Sequence, residues 1–181
     1  MIKSRSLLSK SLIPPEIEAS IHISVKVHWG EQDAFGHLNN VHYLRYFESA
    51  RIAYIATSGW MEKESSIKPI LAETQIKYRA QVVFPATLDL YTCTLELREK
   101  GATCGTLFMN GNIMVAGLDQ VLPLSSLFFI FIFKEARAVV LSFDYQKQKT
   151  VPIPQQVIDH FKRIDSFQDP AIRKRLLDSF Q

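Results

Sequence analysis

The sequence has little of what several enzyme classes require. Its 181 residues include only two cysteines, with no C-x-x-C or H-x-x-x-H spacing that would suggest a metal site. It lacks G-x-S-x-G, and no cysteine lies near the histidines of residues 27–54, so a serine or cysteine acyl-enzyme has no candidate. The longest apolar run, residues 121–133, is too short to span a bilayer comfortably. We expect no cofactor, no metal and no membrane span.

Charge is also modest. Charged residues make up 22% of the chain, and the formal net charge is +3. The basic residues show no run and no interleaving with aromatic residues of the kind that nucleic-acid binding needs, which argues against a nucleic-acid partner. The apolar fraction of 47% is typical of a globular domain with a sizeable core. The length and composition therefore predict one domain.

Alternating apolar and polar residues predict several strands. The pattern covers residues 21–28, 70–79, 88–98 and 103–115, and a further β-rich run covers 136–144. A turn at residues 99–102 joins the third and fourth strands, which would place Cys93 closer to Phe108 than to Cys104. We therefore expect no disulfide, and two unpaired cysteines fit a reducing compartment. Residues 155–164, after Pro152 and Pro154, predict a short amphipathic helix.

The segment from Val41 onward predicts a long helix that is apolar on most of its surface. Only a strip through His42, Arg45, Glu48 and Ser49 is polar. Such a helix is expected to be buried on nearly all sides, and the strand patterns supply what would wrap it. The predicted fold class is α+β: an antiparallel sheet of about five to six strands around a long central helix, with a short C-terminal helix.

A polar turn precedes this helix and carries the chemistry. Asn39 or Asn40 is suited to cap the first helical N–H groups, and the remaining N–H groups and the helix dipole favour negative charge. Asp33 lies a few residues upstream. A carboxylate beside a terminus that stabilises an oxyanion is what hydrolysis of an acyl group needs.

The same stretch resembles the signature D-x-x-G-H-x-N-N-x-x-Y-x-x-Y-F-E-x-A-R of hotdog-fold acyl-CoA thioesterases of the 4-hydroxybenzoyl-CoA thioesterase-like family. Every signature position matches: Asp33, Gly36, His37, Asn39, Asn40, Tyr43, Tyr46, Phe47, Glu48, Ala50 and Arg51. The resemblance covers residues 21–165. It implies a curved antiparallel sheet around the helix and active sites at the interface of a homodimer or a dimer-based tetramer, acting on acyl-CoA or an acyl-carrier thioester.

The resemblance also suggests roles for single residues. Asp33 is the expected nucleophile or general base, and the alternative is a turn aspartate that satisfies nearby N–H groups. His37 either orients substrate or water or fills space in the turn. The expected substrate contacts are Gly36, Asn39, Asn40 and Tyr43, with Asn39 a cap first. Glu48 is expected to pair with Arg51 or Arg45, because unpaired burial would be costly. Glu31 is expected to be solvated.

The alternatives to hydrolysis are hydration of enoyl-CoA and acyl binding without catalysis. Related hotdog hydratases carry an Asp and a His five positions apart with Asn-Pro between them, whereas Asp33 and His37 are four apart with Ala-Phe-Gly between them. This spacing argues against hydration of enoyl-CoA. The remaining alternative is a non-catalytic or inactive acyl-binding homologue.

Three segments lie outside the pattern. Residues 1–20 form a basic extension with no acidic residue before Glu16, typical of a mitochondrial transit peptide or of a disordered tail, so we expect a mitochondrial or cytoplasmic location. Residues 166–181 form a C-terminal tail. The apolar segment 117–134 interrupts the domain, which spans residues 21–165. At this place, between the fourth and fifth strands, family members usually have a short turn. Its Phe and Ile codons are T-rich and a following Lys can be AAG, which suggests a retained intron; a genuine structural insertion is the alternative.

Overall fold

Strands and helices follow the predicted order along the chain. The computed structural model describes residues 21–78, 80–110 and 132–165. The elements are β1 (Ile21–Lys26), a 3-10 turn (Trp29–Glu31), α1 (Asn40–Ala56), β2 (Ile67–Tyr78), β3 (Thr87–Arg98), β4 (Gly101–Asn110), β5 (Ile132–Asp144), β6 (Lys149–Thr150) and α2 (Gln155–Ile164). The expected α+β class is confirmed, and α2 has the predicted bounds. The predictions for residues 1–20 and 166–181 fall outside the described residues.

The strands form one antiparallel sheet. Their order is β1-β3-β4-β5-β2, and the short β6 pairs with β5. The inner side chains of β1 follow the predicted alternation, with Ile21, Ile23 and Val25 turned toward the protein interior. Helix α1 packs on β1, β3 and β4. The sheet therefore covers one side of the central helix, and β1 and β2 lie at its edges.

The hairpin between β3 and β4 corrects a predicted register. Its connection is the two-residue turn of Glu99 and Lys100, since Arg98 already pairs with Gly101. A register shift between Thr94 and Glu96 adds one residue to β3, so that Cys93 lies opposite Gly105. The prediction that Cys93 lies closer to Phe108 is therefore wrong, because it assumed a four-residue turn and an unbroken ladder. Both cysteines are buried, and neither forms a disulfide in this structure.

Strand β5 begins earlier than its sequence pattern suggested. It starts at Ile132, and Lys134 pairs with Phe108 on one side and with Tyr78 on the other. The last three residues of the predicted insertion 117–134 are thus strand residues, and the insertion itself stays a prediction. The remainder of the insertion lies outside the described residues.

Two apolar clusters lie along α1. The first surrounds the N-terminal half of the helix, where Tyr43 and Phe47 meet Leu88, Leu90 and Phe108 from the sheet. The second surrounds the C-terminal half and includes the fully buried side chains of Tyr54, Trp60, Val157 and Phe161. Inner residues from alternate positions of β3, β4 and β5 contribute to both clusters, as expected for a sheet with one face on a helix. Helix α2 supplies Val157 and Phe161 to the second cluster only.

The predicted burial of α1 on nearly all sides is wrong for the single chain. Val41, Leu44 and Ile52 are 61%, 43% and 42% exposed, although all three are apolar. The side chain of Glu48 is 60% exposed on the same helix. One curved sheet contacts only one side of a helix, so these residues face away from it. This flank of α1 is therefore an exposed, partly apolar surface of the single chain.

Candidate functional site

A small hairpin at residues 31–39 leads into α1. The Asn39 N–H donates to the Glu31 carbonyl at 2.9 Å, Gln32 bridges Leu38, and the Asp33 N–H donates to the His37 carbonyl at 2.8 Å. The hairpin is tied to the neighbouring loop by the Leu38 N–H, which donates to the Val82 carbonyl at 2.8 Å. The tip of this hairpin therefore presents the segment from Asp33 to His37 at a defined place beside the helix.

The Asp33 carboxylate organises the tip. Its Oδ1 accepts from the Phe35 N–H at 2.9 Å and from the His37 N–H at 3.2 Å. Among the described residues no donor reaches its second oxygen, and the side chain is half-buried. Gly36 has a φ of +77°, a conformation that glycine adopts without the cost a side chain would bring. One carboxylate oxygen is thus held by the turn, and the other is free to meet a substrate or a water molecule.

The N-terminus of α1 lies at the base of the same hairpin. Asn39 is the cap, and its side-chain oxygen accepts from the Val41 N–H at 3.1 Å. The His42 N–H donates to the Asn39 carbonyl at 3.0 Å. Within the described part of the chain the Asn40 N–H has no acceptor. This free N–H and the helix dipole favour negative charge at the helix start.

Two other residues predicted for the site, His37 and Tyr43, differ in their burial. His37 is half-buried, and its backbone N–H closes the turn on Asp33. Tyr43 is 2% exposed, with its ring centroid 5.6 Å from that of Tyr78 and 6.0 Å from that of Phe108. Its burial raises the pKa of its hydroxyl well above the usual value, and Tyr78 adds to this. The substrate contacts expected for Tyr43 and Gly36 stay predictions.

The expected pair of Glu48 with Arg51 is present, but it is weak. Arg51 Nη2 lies 4.0 Å from Glu48 Oε1. Arg51 is buried and its guanidinium lies 5.4 Å from the Phe47 ring centroid, whereas Glu48 is exposed. Burial lowers the pKa of Arg51, and Cys104 and Glu48 oppose that shift. An exposed partner at this distance contributes little stability, so Arg51 is held mainly by packing.

A second cluster of polar side chains beside the hairpin was not predicted from the sequence. The prediction that Glu31 is solvated is wrong: its side chain is 12% exposed. Its Oε2 accepts from the His28 N–H at 2.7 Å and from the Tyr46 hydroxyl. Its Oε1 lies 3.5 Å from His42 Nδ1. The i, i+4 spacing of His42 and Tyr46, which puts both on one helix face, was the available signal.

Opposing effects set the ionisation of Glu31. Burial acts to raise its pKa, while the hydrogen bonds from the His28 N–H and the Tyr46 hydroxyl act to lower it, together with the nearby His42. The lowering effects prevail, so the pKa of Glu31 lies below its usual value and the carboxylate is charged near neutral pH. Burial, reinforced by Glu31, raises the pKa of the Tyr46 hydroxyl. Tyr46 therefore stays a neutral donor to an ionised acceptor.

Cys104 does not provide a nucleophile. Burial raises the pKa of the Cys104 thiol to about 12, with a smaller contribution from Cys93. A thiol with this pKa is protonated at neutral pH, and the thiolate is the reactive form. Across the described ranges no group of three His, Cys, Asp or Glu side chains is arranged to hold a metal ion. The helices there are also too short or too polar to cross a bilayer.

Solved structures share this fold. A Staphylococcus aureus protein solved in complex with CoA has a TM-score of 0.66 and 9% identity, over 82% of this chain and 85% of that one. A thioesterase-superfamily protein from Jannaschia sp. CCS1 has a TM-score of 0.64 and 22% identity, over 80% and 82%. DHNA-CoA thioesterase from S. aureus has a TM-score of 0.61 and 13% identity, over 80% and 92%. These likenesses confirm the hotdog fold.

Sequence comparison adds a relative and a family. The uncharacterized protein YsmA of Bacillus subtilis is 36% identical over 79 residues, 44% of this chain and 54% of YsmA, so the match spans about half of that relative. The model of the thioesterase-like superfamily matches residues 27–161, from the end of β1 into α2. This range contains the hairpin, α1, the first part of α2 and all the named strands except β1, and the chain belongs to the thioesterase-like superfamily.

Proposed function

We propose that this protein hydrolyses acyl thioesters, with acyl-CoA as the substrate class. Membership of the thioesterase-like superfamily supports thioester hydrolysis. A fold shared with a protein solved with CoA, and with a thioesterase that acts on DHNA-CoA, is consistent with a CoA thioester. The site offers a carboxylate and a helix N-terminus, which are the two groups that the reaction requires.

The observation that carries the proposal is the Asp33 carboxylate. One of its oxygens is held by two backbone N–H groups, so the side chain has a fixed direction. The other oxygen has no donor within the described chain, and the half-buried position leaves it accessible. A fixed carboxylate with one free oxygen is suited to accept a proton from water or to attack a carbonyl carbon.

The chemistry follows from these two groups. In the general-base form, Asp33 takes a proton from water as the water oxygen bonds to the thioester carbon. The carbonyl oxygen becomes an oxyanion, which the Asn40 N–H and the start of α1 stabilise. The carbon–sulfur bond then breaks, and the thiolate leaves and takes up the proton. In the nucleophilic form, Asp33 bonds to the carbonyl carbon first, and the carbon–sulfur bond breaks as CoA leaves as the thiolate. Water then hydrolyses the resulting anhydride, which gives the free acid and the Asp33 carboxylate, and the proton released goes to the thiolate.

A second copy of the chain completes the proposal. The apolar flank of α1 at Val41, Leu44 and Ile52 is exposed, and among the described residues the edge strands β1 and β2 each pair on one side only. Exposed apolar helix surface next to unpaired strand edges is costly for a soluble monomer. We therefore expect a homodimer or a dimer-based tetramer, with the flank of α1 at or near the interface. A fully active monomer, found by light scattering at assay concentration, would contradict this expected oligomeric state.

The direct test is an assay with a panel of acyl-CoA thioesters and a reagent that detects free thiol. Wild-type protein should release CoA from at least one thioester, and Asp33→Asn should release it at least about a hundred times more slowly. Asp159→Asn is the matched control, because Asp159 is exposed on α2 and its partner is Gln155 on the same helix. The control should turn over like the wild type. Equal turnover by folded Asp33→Asn would refute the assignment of Asp33.

One observation favours a second function. The hydrogen bonds to Asp33 Oδ1 also suit a plain turn aspartate, which would leave the hairpin intact in a protein that only binds acyl groups. Such a protein would bind acyl-CoA in calorimetry, and the thiol assay would detect no release above the uncatalysed rate. Binding without release would favour this alternative over hydrolysis.

A further inference from the structure

The Glu31 carboxylate joins the 3-10 turn, to which Glu31 itself belongs, to helix α1. Its Oε2 accepts from the His28 N–H, at the start of the 3-10 turn, and from the Tyr46 hydroxyl in the second turn of α1. Its Oε1 lies 3.5 Å from His42 Nδ1, which is buried and has no hydrogen-bond partner among the described residues. A buried carboxylate is stabilised only where such donors and cations surround it. Glu31 is therefore a structural junction rather than a surface charge.

This junction lies at the base of the site hairpin. The Glu31 carbonyl accepts the Asn39 N–H, so Glu31 and the helix cap are the closing pair of the hairpin. Asp33 is two residues further along the same strand of that hairpin and pairs with His37 at its tip. The hairpin is short, and only three residues lie between Asp33 and His37 at its tip. A rotation at the base, where Glu31 pairs with Asn39, would therefore also move the tip.

Position is critical for a reaction of this kind. The carboxylate must lie within hydrogen-bond reach of water or substrate while the developing oxyanion meets the helix N-terminus, and an error of about 1 Å costs as much as 100-fold in rate. The hairpin and α1 supply one group each. The Glu31–Tyr46 hydrogen bond is the side-chain contact that ties the two elements together at the hairpin base.

We propose that Glu31 is a positioning residue, whose carboxylate holds the hairpin at residues 31–39 against helix α1 and thereby sets the place of Asp33 relative to the helix N-terminus. The assignment rests on the proposed hydrolysis at Asp33. Glu31 does not contact the substrate in this proposal. Tyr46 is its principal partner, and His42 is the cation that faces it when protonated.

The kinetic test uses Glu31→Ala and Tyr46→Phe, each made in the wild type and in Asp33→Asn, with Glu64→Ala in an exposed loop as the matched control. Alanine is chosen because the side-chain oxygen of a glutamine could still accept from the His28 N–H and the Tyr46 hydroxyl. We expect Glu31→Ala to lower kcat about 10- to 100-fold with KM nearly unchanged. Tyr46→Phe should lower kcat less, because the His28 hydrogen bond remains. In the Asp33→Asn background neither change should lower kcat further, because a positioning residue acts through Asp33. Full kcat in Glu31→Ala, or equal losses in both backgrounds, would overturn the proposal.

A second measurement does not depend on activity. Amide hydrogen exchange of the Asp33 and Asn39 N–H groups, both hydrogen-bonded within the hairpin, should be at least tenfold faster in Glu31→Ala than in wild type. Amides of β3 and β4 serve as the internal reference, and Glu64→Ala should match the wild type. Unchanged exchange would overturn the proposal even if the thiol assay detects no hydrolysis. If Glu31→Ala fails to fold, Tyr46→Phe, which removes one hydroxyl, gives the same readout.

Discussion

The two ends of helix α1 differ in almost every physical respect. At the C-terminal end, the Tyr54 and Phe161 rings stack with centroids 5.1 Å apart, and the Tyr54 hydroxyl donates to Asp165 Oδ2 at 2.6 Å. The Thr94 N–H donates to the same oxygen at 3.1 Å. At the N-terminal end, one Asp33 oxygen and the Asn40 N–H are free within the described chain, and Phe35 is 83% exposed. One end is closed and packed, and the other is open.

The difference indicates what each end contributes. A stacked ring pair and a buried hydroxyl with an acceptor stabilise a fold, since such groups leave no polar atom or apolar surface for a ligand. Burial, reinforced by Asp165, raises the pKa of the Tyr54 hydroxyl far above its usual value, so it remains a donor. Free polar groups and exposed apolar side chains at the other end cost stability and provide a place for binding. Changes at the closed end should affect stability, and changes at the open end should affect activity.

The largest expected effect is at the closed end. Phe161→Ala should lower the free energy of unfolding by about 3–5 kcal/mol, because the ring is fully buried between Tyr54 and Trp60. Phe35→Ala at the open end is the matched control and should change it by less than about 0.5 kcal/mol. Urea unfolding followed by fluorescence measures both. Similar losses in the two variants would contradict the division between the ends.

The next effect is catalytic and is confined to the open end. Asp33→Asn should lower kcat at least about 100-fold, equivalent to about 2.7 kcal/mol, with little change in unfolding free energy, because the asparagine oxygen can still accept the Phe35 and His37 N–H groups. His37→Ala should lower kcat less. Steady-state kinetics on folded protein test this ranking. The reverse ranking would move the catalytic assignment to His37.

A smaller effect is expected at the helix cap. Asn39→Ala should lower the free energy of unfolding by about 1 kcal/mol, because the Val41 N–H loses its acceptor at the start of α1. Asn40→Ala is the comparison variant, since Asn40 is an exposed first helical residue with no side-chain hydrogen bond among the described contacts. It should be nearly neutral. A neutral Asn39→Ala would show that the cap is not needed at this end.

A similar effect, in the opposite direction, concerns the predicted insertion. Deletion of residues 117–131 should stabilise the protein by about 1 kcal/mol by shortening the connection between β4 and β5, and it should raise solubility by removing an apolar segment. Deletion of 117–134 should stabilise less, because it also removes Lys134 and its pairs with Phe108 and Tyr78. Yields of soluble protein and urea unfolding compare the two. Loss of soluble protein in both, together with transcripts of the longer form only, would indicate a genuine structural insertion.

Local patterns in the sequence predicted much of the fold. The bounds of α2 at Gln155–Ile164, the alternation of β1 and the cap at Asn39 depend on neighbouring residues, and all three are confirmed. The hairpin of β3 and β4 was predicted, but its register was not, because the shift between Thr94 and Glu96 leaves no mark in a pattern of period two. The site hairpin is local as well, which is why Asp33 and Gly36 stood out in the sequence.

What the tertiary structure alone decided is which side chains are covered. The sequence by itself determined the strands, the helix start and the capping residue, since these depend on propensities and hydrogen bonds within a few residues. It did not determine that Glu31 is half-buried, because that depends on Tyr46, which is 15 residues away in the chain. Nor did it determine that Leu44 is exposed, because apolar character gives the tendency to be buried, while only the arrangement of the sheet determines which side of α1 has a partner.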